Sequence, residues 1–255
     1  MHLNLAGKRA LITGSSRGIG AAIARGLAAE GCNLCLVARD RHALEEVKSN
    51  VLAQNPGLEV QLFPADMRDA NGMAFLRHVG PVDILVNNAG DVPHGNLLEL
   101  DESTWRTAWD LKVFGYINLT REIYRAMQTN KRGVIINIVG TAADHPQGRT
   151  IATSSGNAAL IAFTRALGVD SPKAGIRVVA VSPGATETDR QIVRWEARAA
   201  KELGDKDRWR ELTTNYPFGR LARADEIASV VTFLASDKAS YMSGTVVVVD
   251  GGGTG

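Results

Sequence analysis

Cysteine is all but missing from this sequence. Its 255 residues include only two, Cys32 and Cys35, too few for the disulfide framework of a small secreted scaffold. Their CxxC spacing falls on a run that reads as a β-strand, where residues three apart face opposite sides of a sheet, so buried structural thiols are expected rather than a redox pair. Long apolar runs are missing too. No stretch approaches the roughly 18 to 20 residues of a membrane span, and the opening MHLNLAGKRALITG lacks the basic, apolar and small order of a signal peptide. A cytoplasmic chain with no membrane partner is the expectation. Neither sign of charge dominates: 29 basic and 27 acidic residues leave a net charge of +2, which gives no electrostatic footprint for nucleic acid. The five histidines, His2, His42, His78, His94 and His145, show no metal-ligand spacing, so no metal is expected. A GxSxG elbow is absent as well, which argues against a serine hydrolase.

What is present is ordinary globular composition, with 45 % hydrophobic and 22 % charged residues, enough to fold and to bury a large core. Short, continuous, β-branched or Leu-rich runs predict strands near 10–13, 33–37, 60–63, 84–87, 134–138, 178–181 and 246–249. Such runs suit a parallel sheet covered on both faces. Helices fill the gaps near 18–30, 43–54, 69–79, 101–130, 153–170 and 224–236, the first of them closed by Gly31 in a left-handed conformation. Strand and helix alternate throughout, so the expected fold is α/β: a Rossmann-type, doubly wound, seven-stranded parallel sheet with helices on both faces. A single dinucleotide-binding domain over 1–255 follows. Only 185–215 breaks the rhythm; charged and carrying Trp195 and Trp209, it reads as a helical, lid-like insertion over the site.

The first strand runs into Thr13-Gly14-Ser15-Ser16-Arg17-Gly18-Ile19-Gly20. Between a strand and a helix, glycines let the backbone approach a pyrophosphate held at the helix N-terminus. With Gly14, Gly18 and Gly20 at the TGxxxGxG positions, the chain resembles the short-chain dehydrogenase/reductase family. The likeness covers nearly the whole sequence: Asp66 after the third strand, Asn87-Asn88-Ala89-Gly90 after the fourth, Ser182-Pro183-Gly184 with Thr188 after the sixth, and the closing Val249-Asp250-Gly251-Gly252. It implies that Gly14, Ser16, Arg17, Gly18, Ile19 and Gly20 line the pyrophosphate. Asp66, Met67 and Asn87 are then on the adenine side, with Asn88, Ala89 and Gly90 beside them, while Pro183, Gly184 and Thr188 approach the nicotinamide. The charge at the end of the second strand selects the nucleotide, because an acid there accepts from a ribose 2′-OH and an arginine accommodates a 2′-phosphate. Arg39 holds that place and Arg17 adds a second guanidinium, so NADP(H) is expected, with NAD(H) as the alternative signalled by Asp40.

In this family a tyrosine exchanges the proton at the substrate oxygen, and a lysine four residues later holds the ribose and lowers the tyrosine pKa from its free value of about 10. A serine orients the substrate and an asparagine supports a relay. Matched to that pattern, the tyrosine position is Thr153, the lysine position is Asn157, the serine position is Gly140 and the asparagine position is Asp110. Nowhere in the chain is a tyrosine followed by a lysine at that spacing. A threonine hydroxyl does not titrate near neutrality, so Thr153 cannot replace the phenol as an acid, although Asn157 can still bond a ribose. Three readings stay open. In one, an oxidoreductase acting on a small carbonyl or alcohol takes its proton by a non-standard route, from a burial-raised Asp110 or from His145, with Thr141 and Thr153 orienting the carbonyl. Alternatively the chain binds NADP(H) without turnover, as a sensor or subunit. The third is a non-redox lyase with Asp110 as base. The family resemblance also implies a homo-oligomer, a dimer or tetramer, built on the 101–130 and 153–170 helices and the last strand.

Overall fold

The computed structural model describes residues 2–253, apart from the side chains at positions 70 and 71. Its elements follow the alternation read from the sequence: β1 Arg9–Thr13, α1 Gly18–Ala29, β2 Asn33–Ala38, α2 Arg41–Gln54, β3 Val60–Pro64, α3 Leu76–Val79, β4 Ile84–Asn87, α4 Glu102–Trp109, α5 Gly115–Asn130, β5 Gly133–Ile138, α6 Ile151–Asp170, β6 Ile176–Pro183, β7 Thr186–Glu187, α7 Asp189–Leu203, β8 Ala222–Arg223, α8 Ala224–Ala235 and β9 Val246–Val249. Seven strands form one sheet in the order β3-β2-β1-β4-β5-β6-β9, every pairing parallel. The chain winds outward from β1 to β3 and then returns to β4. The crevice between β1 and β4 is therefore the topological switch point, where such sheets bind ligands beyond their carboxyl ends.

Strand residues bury both faces because helices cover both. One core packs Ile12, Leu34, Leu36, Val86 and Ile136 against Ile23 and Leu27 of α1, Leu44 of α2 and Ile227 and Val231 of α8. The other packs Leu11, Cys35, Leu85 and Ile135 against Leu119, Ile123 and Met127 of α5. Cys32 and Cys35 belong to opposite cores, and burial pushes their thiols up to about 12 and about 11, which makes them inert. Gly31 takes the left-handed conformation after α1, at φ +83°.

Two helices differ from the sequence expectation. The 69–79 segment is a 3₁₀ turn, Ala70–Met73, followed by the single turn α3; a Cβ on Gly72 would lie 1.8 Å from the Asp66 carbonyl oxygen, so the chain folds back there too tightly for one α-helix. The 101–130 helix is interrupted between α4 and α5 by a π turn, Asp110–Phe114, in which the Gly115 N–H reaches the Asp110 carbonyl. Such bulges concentrate at functional sites.

A buried polar chain crosses the sheet beneath the crevice. Asn87 Nδ2 donates to Asn137 Oδ1 at 2.8 Å and to Thr120 Oγ1 at 2.9 Å, and Asn137 Nδ2 donates to Thr164 Oγ1 at 2.9 Å. Removing its middle member leaves a buried donor short of a partner, so Asn137→Ala is expected to cost about 1–3 kcal/mol. Thermal unfolding should register this as a fall of roughly 2–4 °C per kcal/mol.

Residues 185–215 form β7, α7 and a 3₁₀ turn Lys206–Thr213, and β7 pairs in parallel with β8 just beyond them. Trp195, Ala199, Trp209 and Leu221 make a separate apolar cluster there, and Tyr216 meets Trp195 edge to face at 5.7 Å. This part of the chain thus has an apolar cluster separate from the two cores of the sheet.

Candidate functional site

Glycines set how closely the loops meet at the carboxyl edge of the sheet. In the turn from β1 to α1, Gly14 and Gly18 have φ of +64° and +52°, values that side chains resist. A Cβ on Gly14 would lie 2.9 Å from Ala89 Cα, and one on Gly20 would lie 2.2 Å from the Gly14 carbonyl oxygen. Thr13 locks this turn to the end of β4. Its Oγ1 accepts from the backbone N–H groups of Asn88 and Ala89 at 2.9 and 3.1 Å, while Asn88 Nδ2 donates to the Thr13 and Gly14 carbonyls at 3.0 and 3.1 Å. Arg17 is the N-cap of α1 and supplies no side-chain cap. Ser16, Gly18 and Ile19 are half-buried beside it, and the first turn of the helix keeps the uncapped N–H groups that attract phosphate.

Around the end of β2 the charges are arranged unevenly. Arg39 is exposed, with the Asp91 carboxylate 4.0 Å away. Arg17, expected to act beside it, is paired with Asp40 at 3.0 Å. Asp40 also caps α2 by accepting from the Ala43 N–H at 3.1 Å; that backbone bond and the Arg17 guanidinium hold its carboxyl below the usual range. Its carboxylate is thereby committed to a helix cap. Asp66 is held low in the same way by hydrogen bonds from Arg68, and Met67 next to it is buried.

At the other end of the crevice, β6 delivers Pro183 and Gly184. The Gly184 N–H donates to the Val249 carbonyl at 3.0 Å, and a Cβ there would lie 2.7 Å from Asp250 Cβ. Thr188 caps α7, accepting from the Gln191 N–H at 3.4 Å, and its methyl would lie 3.1 Å from a Cβ on Gly18. The start of the insertion therefore rests on the glycine turn. Arg190 fastens it further, donating to the Gly90 carbonyl at 3.3 Å and pairing with Asp91 at 2.9 Å. Arg194 meets the His94 ring at 3.1 Å.

The positions assigned to proton chemistry are only partly brought together. Asn157 Nδ2 donates to the Gly140 carbonyl at 3.2 Å, which ties α6 to the loop after β5. Thr153 Oγ1 and Asn157 Oδ1 are buried with no hydrogen-bond partner among the described residues, a costly state unless a ligand satisfies them. Thr141 opens a 3₁₀ turn, Thr141–Ala143, and is half-buried. Asp110 is exposed, and its carboxylate makes no hydrogen bond or ion pair among the described residues. The burial asked of it as a neutral acid is thus absent; its backbone carbonyl closes the π turn instead. His145 lies exposed in the loop beyond Thr141.

Lys112 is the residue sequence reasoning missed. It is 8 % exposed, and its Nζ donates to the Ile138 carbonyl at 2.7 Å and to the Tyr116 hydroxyl at 3.2 Å. Tyr116, 1 % exposed, donates to the same carbonyl at 3.1 Å. Burial, with some repulsion from Arg190, pushes the Lys112 ammonium down to about 7, and burial pushes the Tyr116 phenol well up. A signal existed: Lys112, Tyr116, Leu119, Ile123 and Met127 recur at helical spacing, which marks a lysine on an apolar stripe.

These residues fit a phosphorylated dinucleotide. The turn is a cradle that one added Cβ would fill, the helix end is uncapped, a guanidinium stands beside it, and Thr153 and Asn157 carry orphaned acceptors. No helix among the described residues is long and apolar enough to cross a membrane.

Comparison with known proteins agrees with this arrangement. A family model described as enoyl-(acyl carrier protein) reductase matches residues 14–254. The chain is 35 % identical over 253 residues to 2,3-dihydro-2,3-dihydroxybenzoate dehydrogenase of Bacillus subtilis (strain 168), covering 97 % of this chain and 96 % of that one. It is 34 % identical over 253 residues to 3-oxoacyl-[acyl-carrier-protein] reductase of Escherichia coli (strain K12), covering 98 % of each. L-sorbose reductase from Gluconobacter frateurii, solved with NADPH and L-sorbose, superposes with a TM-score of 0.93 at 31 % identity over 100 % of this chain and 99 % of that one.

Proposed function

We propose that this chain, which belongs to the short-chain dehydrogenase/reductase family, is an NADP(H)-dependent oxidoreductase that interconverts a small carbonyl compound and its alcohol. The observation that carries the reading is the glycine turn pinned by Thr13 and Asn88 beneath an uncapped helix, with the exposed Arg39 guanidinium at the end of the neighbouring strand. Backbone groups of Gly14, Ser16, Gly18, Ile19 and Gly20 would hold the pyrophosphate, and Arg39, joined by Arg17 once it leaves Asp40, the 2′-phosphate. Asp66 and Met67 would hold the adenine, with Asn88, Ala89 and Gly90 lining the middle of the crevice. Asn157 would take the ribose, and Pro183, Gly184 and Thr188 the nicotinamide. NADPH held by these residues would supply the hydride for the carbonyl carbon. NAD(H) is the weaker candidate because Asp40 is occupied as a cap.

Everything else is work for the chain's own side chains. Thr153 Oγ1, buried and unpartnered, orients the substrate oxygen and cannot itself titrate near neutrality. Asp110 and His145, both exposed, suit the solvent end of the proton route. The insertion, fastened at Gly90 and Asp91 by Arg190, closes over the substrate and excludes water. Apolar surface at Phe114, Val169, Tyr241 and Val248 supports a homo-oligomer pairing α5, α6 and β9 between copies.

NADPH oxidation across a panel of small carbonyl compounds tests the reading, with the parent compared with Thr153→Ala, Asp110→Ala and His145→Ala. Thr153→Ala should lower kcat/KM about tenfold, mostly through KM, as expected for a lost orienting hydrogen bond of roughly 1–1.5 kcal/mol. Asp110→Ala and His145→Ala should each stay within about tenfold of the parent, because solvent can replace an outer relay group. NADPH binding with no turnover on any carbonyl would favour the cofactor-binding reading, which the uncharged side chains at 153 and 157 otherwise suit. Product formed without NADPH consumption would instead favour a lyase.

A further inference from the structure

We propose that Lys112 is the proton-exchanging group at the ligand end of this site, held in place by Tyr116 and the Ile138 carbonyl. The proposal rests on the oxidoreductase reading for its chemistry, and on packing for its location. Lys112 lies on the sheet-facing side of the helix just where the π turn joins α5, and it reaches over the carboxyl ends of β4 and β5. Gly90, directly after the Asn88-Ala89 contact with the glycine turn, has no side chain in the way: a Cβ there would lie 3.1 Å from Lys112 Cδ and 3.6 Å from its Nζ. Two residues beyond Ile138 stands Gly140, whose carbonyl is bonded by Asn157. The ammonium therefore lies against Gly90 and the end of β5, two residues before Gly140.

Its hydrogen bonding is incomplete in a telling way. An ammonium carries three N–H donors, and Lys112 spends them on two acceptors, Ile138 O and Tyr116 Oη, with no third among the described residues. The remaining hydrogen is what a substrate oxygen would accept. No carboxylate among the described residues pairs with Lys112, so burial is not offset and its charge is easily given up. The charged and titratable groups around it are few: Tyr116 on its own helix face, Asp110 one half-turn earlier and facing solvent, and Arg190 from α7, itself paired with Asp91. Strand β5 and the start of α6 contribute none.

In the reductive direction the Nζ–H bond breaks and its electron pair stays on nitrogen. The proton forms the O–H bond on the substrate oxygen while NADPH, the reductant of the proposed function, reduces the carbon. The neutral amine then regains a proton from solvent. Tyr116 is a positioning residue: its hydroxyl accepts from Nζ and donates to Ile138 O, so it holds the amine without leaving that carbonyl unpaired.

Two readouts test this, one independent of turnover. Side-chain NMR of lysine-labelled protein should show one lysine titrating near neutrality, well below the usual value of about 10.4. That signal should be absent in Lys112→Met and displaced upward by NADPH, whose phosphates favour the ammonium. For carbonyl reduction at saturating NADPH, the parent kcat/KM should fall as pH rises through the midpoint of the NADPH complex. Lys112→Met should be slower by about 100-fold or more and lack that pH limb, with NADPH still bound to saturation. Lys112→Arg keeps the charge and the donors but cannot release its proton. It should fold and bind NADPH yet leave the limb missing, whereas a merely structural role would be rescued. Tyr116→Phe removes an acceptor from the ammonium and should move the midpoint to lower pH. A parent-like rate and pH profile in Lys112→Met, or a lysine spectrum with no group titrating near neutrality, overturns the proposal. Should the parent oxidise no NADPH with any carbonyl while the Lys112 signal titrates near neutrality and responds to NADPH, the oxidoreductase reading fails and the location of a titrating Lys112 at the nucleotide site stands.

Discussion

Gly20→Ala is expected to weaken NADPH binding by about 30- to 150-fold, the equivalent of roughly 2–3 kcal/mol at 1.4 kcal/mol per tenfold. The added methyl would lie 2.2 Å from the Gly14 carbonyl oxygen, 2.8 Å from the Gly14 carbonyl carbon and 2.5 Å from Asn88 Nδ2. Two of those atoms are backbone and the third is held by bonds to the Thr13 and Gly14 carbonyls, so none can swing aside as a flexible side chain would. Either the turn opens or α1 shifts, and in both cases the helix N-terminus no longer faces the position its glycines prepared. Fluorescence titration with NADPH measures the loss. Gly57→Ala is the matched control, since a Cβ there meets nothing within 4 Å and its φ is not positive. It should leave affinity unchanged, and an equal loss in both variants would show that the turn does not hold the nucleotide.

Arg39→Ala is expected to weaken NADPH by about 10- to 150-fold, the range of a charge-assisted bond of roughly 1.5–3 kcal/mol, while NADH changes little. Selectivity of this kind follows from where the guanidinium stands. Arg39 is exposed at the end of β2 and only loosely approached by Asp91 at 4.0 Å, whereas Arg17 is paired with Asp40 at 3.0 Å. Recruiting Arg39 to a phosphate therefore sacrifices almost nothing in the free protein, because an exposed pair contributes at most about 1 kcal/mol. The same reasoning predicts that added salt weakens NADPH more than NADH in the parent and that this difference shrinks in the variant. Equal weakening of both nucleotides by Arg39→Ala would place the arginine elsewhere.

The sheet was legible because each strand is a continuous apolar run bounded by turn residues, and burial on both faces demands that pattern. Glycine spacing after β1, the opposite-facing cysteines and the helical character of 185–215 were legible for similar reasons, since each has a local signature. What was hidden depends on distant backbone. The fold-back at Gly72 answers to the Asp66 carbonyl, and the π turn at Asp110–Phe114 changes helical phase without any change in propensity. Arg17 looked like a partner for Arg39, but the loop geometry gives it to Asp40. Asp110 drew attention through its position in the family pattern, and the structure turns it to solvent. Lys112 escapes the pattern of tyrosine followed by lysine, because here lysine precedes tyrosine by one helical turn on an earlier helix.

The most direct trial of the whole account is a two-step measurement on the parent protein. NADPH and NADH are first titrated by fluorescence, and carbonyl compounds are then added to the NADPH complex while absorbance and product are followed together. Saturable binding that favours NADPH, followed by one alcohol formed for each NADPH consumed, is the predicted result. A glycine turn that binds neither nucleotide would contradict it.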